Sequence, residues 1–140
     1  MTSKEFKPLS TQSIKKVLGR IEFDQNGLIP VIVQQYNTGE VLMMAWMNDN
    51  AITDTLKTGR IFYYSRSRNS LWRKGEQSGQ TQKLKDFRFD CDGDTILLQV
   101  EQTGVACHTG RQNCFFNAVR GKKIPIIEEI KIQPRDLYRK

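Results

Sequence analysis

Three carboxylates and a thiol fall within five consecutive residues, Asp90-Cys91-Asp92-Gly93-Asp94. Carboxylates this close repel one another, and a divalent cation relieves that repulsion. Oxygen ligands alone suit a hard ion such as Mg²⁺ or Ca²⁺, whereas the Cys91 thiolate suits a softer ion, zinc above all. If the preceding strand continues, Asp90 and Asp92 share one face and Cys91 takes the other, while Gly93 lets Asp94 swing back. The segment predicts two different metal sites, with a solvated acidic turn as the alternative.

The same segment also has the acidic spacing of an EF-hand calcium loop. With Asp90 as position 1, acids fall at positions 1, 3 and 5, and Glu101 falls at position 12. Position 6 is Thr95, where the EF-hand turn needs glycine. The flanking residues are typical of strands rather than helices. An EF-hand is therefore excluded.

All three cysteines and the one histidine of the chain lie within residues 91–114. Fifteen residues separate Cys91 from Cys107 and six separate Cys107 from Cys114, which is not the paired spacing of a zinc finger. Three thiolates leave the fourth position of a tetrahedral zinc open, as in catalytic sites. His108 would either fill that position or act beside it as an acid–base group, and the strain of two adjacent ligands favours the second role. The alternative for the whole set is buried cysteines without a metal.

Hydrolysis is the chemistry that an open zinc site favours. Zinc lowers the pKa of a bound water toward about 7 and so supplies hydroxide at neutral pH. Histidine is the side chain best suited to general acid–base work in that range, which assigns His108 this role. The His-x-Glu and Pro-Cys-x-x-Cys signature of zinc deaminases is absent from the sequence. The expectation is a hydrolase with sulfur ligation.

A basic segment with aromatic and small residues interleaved precedes the acidic one. Its cations and its tryptophan are Arg66, Arg68, Trp72, Arg73 and Lys74. Guanidinium and ammonium groups match phosphate oxygens, and an indole ring can stack on a base. The alternatives are an exposed basic loop and a surface for RNA or single-stranded nucleic acid.

A mainly β chain must position these motifs. Ser10 or Thr11 caps a helix that ends at Leu18, and Asn48 or Asp49 caps a helix over Ala51–Lys57 that Gly59 terminates. The expected strands are Leu28–Tyr36, Glu40–Met47, Ile61–Ser65, a strand containing Leu84, Phe87 and Phe89, and Thr95–Gln102. The expected loops are Asn69–Gly79 and Gly104–Cys114. The predicted fold class is α+β, mainly antiparallel β-sheet with a few short helices, and a meander is the favoured strand order.

Length and charge narrow the class of protein. The 140 residues suit a single domain. The net charge is +7. Residues 1–20 carry five basic and one acidic side chain, and residues 115–140 carry seven basic and three acidic side chains. This excess at the ends is typical of solvated tails rather than of the one basic face of a nucleic-acid binder. No apolar run is long enough to span a membrane, and residues 1–16 lack the hydrophobic core of a signal peptide, so a cytoplasmic protein with reduced cysteines is expected.

Four strings together resemble the phosphoribosyl-AMP cyclohydrolases of histidine biosynthesis. They are VLMMAWMN (41–48), TGRIFYYSRSRNSLWRKGEQSG (58–79), DFRFDCDGD (86–94) and TGVACHTGRQNCFF (103–116). The resemblance extends over about Phe23–Phe116. It implies three regions: a basic N-terminal segment with a short helix (1–20), a cyclohydrolase domain (21–117) and a basic C-terminal extension (118–140). The 24 residues after Phe116 are too few for the pyrophosphatase domain of some relatives, so a monofunctional enzyme is expected.

The resemblance also implies a reaction and a site. Members of the family hydrolyse the N1–C6 bond of the adenine ring of phosphoribosyl-AMP, the third step of histidine biosynthesis, as intertwined homodimers that use zinc and magnesium. The implied zinc ligands are Cys91, Cys107 and Cys114, with Cys91 from the partner subunit. The implied magnesium ligands are Asp90, Asp92 and Asp94, and His108 is the implied acid–base residue. Arg66, Arg68, Trp72, Arg73 and Lys74 are expected to bind the substrate, and neither nucleic acid nor a membrane is expected as a partner.

Two other functions remain as alternatives. A structural Cys₃His zinc module that binds nucleic acid would use the basic segment, but it leaves the three aspartates unexplained. A phosphohydrolase with a carboxylate-held metal pair would use those aspartates, but it leaves the three cysteines without a role.

Overall fold

The computed structural model describes residues 5–137 and confirms the α+β class. The described residues form the helices and strands α1 Thr11–Leu18, β1 Ile29–Gln35, β2 Val41–Met47, α2 Asp49–Thr58, β3 Phe62–Ser65, β4 Ser70–Arg73, β5 Gln82–Phe89, β6 Ile96–Gln102 and α3 Pro134–Leu137. Four of the strands form one sheet, while β3 and β4 form a separate hairpin. Within residues 5–137 no helix has the length and apolar character needed to cross a membrane.

The four-stranded sheet has the order β2-β1-β6-β5. Its outer pairs are antiparallel, but the central pair of β1 and β6 is parallel. The predicted meander is therefore wrong, although antiparallel pairing dominates as expected. A parallel pair needs a long crossover connection, and here everything from β2 to β5 supplies it. Side-chain alternation along a strand shows which face is buried and carries no information about the neighbouring strand.

The hydrophobic core lies against one face of the sheet. The two central strands contribute the fully buried residues Ile29, Val31, Val33, Ile96, Leu98 and Val100. Every second residue is buried, as expected for strands with one face in the core. The other face is also partly apolar: Ile32 and Met44, direct partners across β1 and β2, are 39% and 42% exposed.

Both long helices begin and end where capping residues predict. The Ser10 hydroxyl accepts a hydrogen bond from the Ser13 amide at 3.2 Å and starts α1. The Asn48 side chain accepts from the Ala51 amide at 2.8 Å and starts α2. Gly59 ends α2 in the left-handed conformation, with φ of 78°, which glycine adopts without steric cost.

The segment Asn69–Gly79 is not entirely a loop, contrary to the prediction. Its residues Ser70–Arg73 form β4, which pairs with β3 so that Trp72 lies opposite the fully buried Tyr63. The rings of these two residues lie 5.2 Å apart. The residues on both sides of Leu71 and Trp72 are polar, so the sequence pattern did not predict a strand here. Packing of the two aromatic rings stabilises this short strand.

Both basic ends of the described chain are docked rather than extended into solvent as tails. At the N-terminal end, Glu5 pairs with Lys83 of β5 at 2.8 Å, and the Leu9 amide donates to the Leu56 carbonyl at 3.0 Å. Toward the C-terminus, isolated antiparallel bridges join Arg111 to Ile130 and Asn117 to Ile126. Charge composition does not report such backbone contacts.

We expect Gly93→Ala to lower the free energy of unfolding by about 3 kcal/mol, against about 1 kcal/mol for Gly27→Ala. Both glycines have positive φ, 73° and 76°, so the conformational cost is shared. Only at Gly93 does an added Cβ meet backbone, 2.3 Å from the Arg20 carbonyl oxygen; nothing lies within 4 Å at Gly27. Urea unfolding of the two variants measures the difference, and equal losses would contradict this packing.

Candidate functional site

A cavity of about 490 Å³ lies beside the β3–β4 hairpin and the loop that follows β6. Seven of the predicted site residues line it: Arg68, Trp72, Arg73, Lys74, Cys107, His108 and Cys114. Two segments that are separate in the sequence, the basic one and the one with the thiols and the histidine, therefore share one cavity.

The loop that carries the thiols, residues 104–114 and hereafter the thiol loop, is held by backbone hydrogen bonds. The Cys107 amide donates to the Arg111 carbonyl at 3.2 Å, and the Gly110 amide returns a bond to the Cys107 carbonyl at 3.0 Å. The Cys114 amide donates to the Leu42 carbonyl of β2 at 2.7 Å. These bonds place the thiols of Cys107 and Cys114 side by side.

The surroundings of the Cys114 thiol stabilise its protonated form. Burial, followed by the proximity of Cys107, raises the pKa of the Cys114 thiol to about 12. Burial lowers the pKa of Lys74, whose proximity to both thiols acts in the opposite direction. The Lys74 ammonium donates to the Ala106 carbonyl at 2.7 Å. A cation that binds both sulfurs would have to displace their protons, and thiolates are the ligands that zinc prefers.

His108 is exposed, whereas its neighbour Cys107 is buried. Both residues line the cavity. An exposed imidazole beside a buried thiol can exchange protons with solvent and with a ligand in the cavity. This arrangement suits the acid–base role better than that of a ligand in a closed site.

Cys91 does not belong to this cavity. It is exposed in the turn between β5 and β6, whereas the cavity is lined by Gln80, which precedes β5. The eight residues of β5 span about 25 Å, far beyond the reach of one zinc ion, whose sulfurs lie about 2.3 Å away. Within residues 5–137, no three His, Cys, Asp or Glu side chains converge closely enough to hold a metal ion.

Residues 90–94, the acidic turn, are not a continuation of the strand. Strand β5 ends at Phe89, and Asp90, Cys91 and Asp92 are all exposed, so the expected division into two faces does not occur. The Asp94 amide donates to the Asp90 carboxylate at 3.0 Å. Burial opposes ionisation of Asp90, but hydrogen bonds led by this amide lower its pKa. A hydrogen bond from Asp94 to Asp90 and the charge of Asp90 raise the pKa of Asp94. The two carboxyl groups therefore affect each other's ionisation in opposite directions.

The structure separates Arg66 from the other predicted substrate-binding residues. Its guanidinium lies 4.5 Å from the centre of the Trp46 ring. Trp46 borders a second cavity of about 420 Å³ that Asp94 also lines. Arg66 is thus associated with the sheet strand β2 and not with the thiol cavity.

A network of glutamines beside the cavity was not predicted from the sequence. Gln82, 1% exposed, accepts a hydrogen bond from the Tyr63 hydroxyl at 2.6 Å and donates to the Gln102 side chain at 2.8 Å. The side-chain oxygen of Gln80 accepts from the Val105 amide at 3.0 Å. The network connects the hairpin, β5 and the start of the thiol loop. The signal available in the sequence was a pair of amide side chains two residues apart at the start of a strand, too common to be specific.

Comparison with known proteins relates the chain to one family. The family model described as phosphoribosyl-AMP cyclohydrolase matches residues 43–116. Proteins named phosphoribosyl-AMP cyclohydrolase are similar to the chain over most of its length. The one from Paramagnetospirillum magneticum is 58% identical over 124 residues, 89% of this chain and 94% of that protein. The one from Hydrogenovibrio crunogenus is 57% identical over 129 residues, 92% of this chain and 86% of that protein. The family-model match includes the thiol loop, the acidic turn and the β3–β4 hairpin.

We expect Gln82→Leu to lower the free energy of unfolding by about 2 kcal/mol, because it leaves the buried Tyr63 hydroxyl without its acceptor. Tyr63→Phe leaves the Gln82 side-chain oxygen unpaired in the same way. The double variant should lose at least about 1 kcal/mol less than the sum of the two single losses. Urea unfolding of all four proteins measures this coupling, and strict additivity would exclude it.

Proposed function

This chain belongs to the phosphoribosyl-AMP cyclohydrolase family, hydrolases of histidine biosynthesis, and we propose that it cleaves the N1–C6 bond of the adenine ring of phosphoribosyl-AMP. The product is the phosphoribosyl-formimino-aminoimidazole carboxamide ribonucleotide. One observation carries the proposal: a thiol pair and a group of cations line the same cavity of about 490 Å³. That volume is within the range of about 300–1,000 Å³ typical of small-molecule sites.

Zinc is the metal that the thiol pair fits. Cys107 and Cys114 are adjacent, partly or fully withdrawn from solvent, and of the soft ligand type that zinc prefers. We assign them as two zinc ligands and Cys91 of a second copy as the third. A zinc ion with three protein ligands keeps one position for water and lowers that water's pKa.

His108 is assigned the proton transfers of the reaction. The attack on C6 removes a proton from water, and the departure of N1 as the ring opens requires a proton. An exposed imidazole at the cavity wall can accept the first proton and donate the second. C6 is the electrophile because the ribosyl group on N1 withdraws electron density from the ring.

The acidic turn is assigned to magnesium. Asp90, Asp92 and Asp94 are hard oxygen donors on one short turn, and the Asp90 and Asp94 carboxyl groups are close enough to share a hydrogen bond. Mg²⁺ takes such carboxylates and keeps several waters. The hydrogen bond with Asp90 and the charge of that residue raise the pKa of Asp94, and a cation there would offset the repulsion between the two charges.

The two substrate phosphates are assigned to the cations of the cavity. Arg68, Arg73 and Lys74 all line it, and guanidinium groups bind phosphate through paired hydrogen bonds. Trp72 lines the same cavity beneath Lys74, whose ammonium lies 5.9 Å from the ring centre. Arg66 faces Trp46 instead, so a role for it in phosphate binding requires the second copy.

A homodimer follows from the proposed zinc site, because no single copy brings Cys91 to the other two thiols. Two features support it. Cys91 is exposed at the far end of β5, where another molecule can reach it. The sheet face that carries Ile32 and Met44 leaves apolar side chains uncovered, which is a feature of subunit interfaces.

Purified protein loaded with zinc and supplied with Mg²⁺ should open the ring of phosphoribosyl-AMP, seen as a change in ultraviolet absorbance. A zinc-selective chelator should abolish the conversion, and added zinc should restore it. Absence of conversion by folded, zinc-loaded protein would refute the proposed function. Salt-dependent binding of RNA by such inactive protein would favour the nucleic-acid module instead.

Mixing two inactive variants, Cys91→Ser and Cys107→Ser, should recover activity if Cys91 crosses the interface. Each mixed dimer then has one intact site, so random exchange gives about a quarter of the wild-type activity. The matched control mixes Cys107→Ser with Cys114→Ser, and it should recover none because both ligands come from the same chain. Recovery in neither mixture, once subunit exchange is demonstrated, would place all three ligands in one chain.

His108→Ala should lower kcat at least about a hundredfold, the range expected for loss of an acid–base group. Its zinc content, measured by atomic absorption, should remain that of the wild type. Loss of zinc would make His108 a ligand, and unchanged kcat would remove it from the mechanism.

A further inference from the structure

The C-terminal strap, residues 128–137, lies outside the segment 43–116 that the family model matches, yet it reaches the cavity. Leu137 lines the cavity together with Cys107, His108 and Cys114. It is 3% exposed, whereas residues 133–136 just before it are exposed. Leu137 is thus the one buried residue of the strap, and it contributes to the wall of that cavity.

The strap is attached to the thiol loop at the middle of that loop. The Gly110 carbonyl accepts hydrogen bonds from the Lys131 amide at 2.8 Å and from the Ile132 amide at 3.1 Å. The Arg111 guanidinium donates to the Glu128 carbonyl at 2.9 Å. Gly110 and Arg111 lie between the two cavity cysteines, so the strap is anchored to the segment that positions both thiols.

Close approach of the two segments depends on glycine. Gly110 has φ of +87°, and a Cβ built there would lie 1.7 Å from the Ile132 carbonyl oxygen. No other residue type permits this contact. This close approach holds the strap against the thiol loop. The short helix α3, Pro134–Leu137, follows and ends at the leucine that lines the cavity.

The cavity has an apolar part in addition to its cations. Met43, Val105, Ala106 and Leu137 all line it and are all nearly inaccessible to solvent. Phosphates do not favour such a surface, whereas the flat face of a purine does. Leu137 and the thiol pair line the same cavity, so a base bound at the thiols lies in the cavity to which this leucine contributes a wall.

We propose that Leu137 contacts the adenine base of the substrate and that the C-terminal strap is a part of the binding site. The inference rests on the proposed function, since it names the part of that substrate which the strap binds. Leu137 acts on affinity and orientation and carries no proton. Its loss weakens binding without removing the metal ligands.

The test compares Leu137→Ala with Leu137→Met and with Ile124→Ala, all in the zinc-loaded full-length chain. Ile124 lies in the same extension, is 73% exposed and does not line the cavity, so its variant is the matched control. Leu137→Ala should raise KM for phosphoribosyl-AMP about tenfold, as expected for loss of an apolar contact. Its kcat should change less than about threefold, and its zinc content should not change. Leu137→Met should restore most of the affinity, because it replaces the lost volume.

A second measurement separates this inference from the function. Calorimetry with AMP as the probe reports binding to the same cavity without turnover, and Leu137→Ala should weaken it by a similar factor. A chain ending at Gln133 should behave like Leu137→Ala in both assays.

If the wild type converts phosphoribosyl-AMP but Leu137→Ala binds both ligands as tightly, the role of Leu137 is refuted and the function stands. Loss of zinc with unchanged KM would make the strap a purely structural support. If the wild type binds AMP through Leu137 but does not convert phosphoribosyl-AMP, only the proposed function is refuted. If the wild type neither binds AMP through Leu137 nor converts phosphoribosyl-AMP, both proposals are refuted.

Discussion

The length of the β5–β6 hairpin is the constraint on which the rest of the site depends. Strand β5 runs for eight residues from the glutamines beside the cavity to the acidic turn. An extended strand cannot bend back on itself, so Cys91 and the pair Cys107 and Cys114 are held at separate places in one chain. The proposed site, which uses all three thiols, would therefore need two copies: one would give Cys107 and Cys114, and the other would give Cys91. In the proposed three-thiol site, dimerisation would therefore be a condition of complete zinc ligation.

The thiol loop has little regular secondary structure, and its shape comes from the segments around it. β2 holds it through the Leu42 carbonyl and the glutamine network holds it through the Val105 amide. The C-terminal strap holds it at Gly110. Backbone bonds to three different segments fix the separation of the two thiols, which a free loop of this length would not maintain.

The local predictions were accurate where a side chain acts on its own backbone. Asn48 and Gly59 begin and end α2 through contacts within a few residues, so its position was visible in the sequence. The predictions failed where partners are distant. Trp72 belongs to a strand because it packs on Tyr63, and β1 lies parallel to β6 because of a crossover of some sixty residues between them. The docking of the basic ends escaped detection for the same reason, since it rests on backbone hydrogen bonds that composition does not encode.

The sequence by itself determined the donor types: three thiols, three carboxylates, one imidazole and a group of cations, and with them the metals and the class of chemistry that these side chains suit. Chemical type is a property of each residue and needs no neighbours. The tertiary structure decided which of these groups meet. It brings Lys74 to Cys107 and Cys114 and moves Arg66 away to Trp46. It also separates Cys91 from the other thiols and adds Leu137, from the C-terminal strap, to the cavity wall. Proximity depends on strand order and on the path of loops, which arise from the packing of the whole core and are not encoded in any single segment.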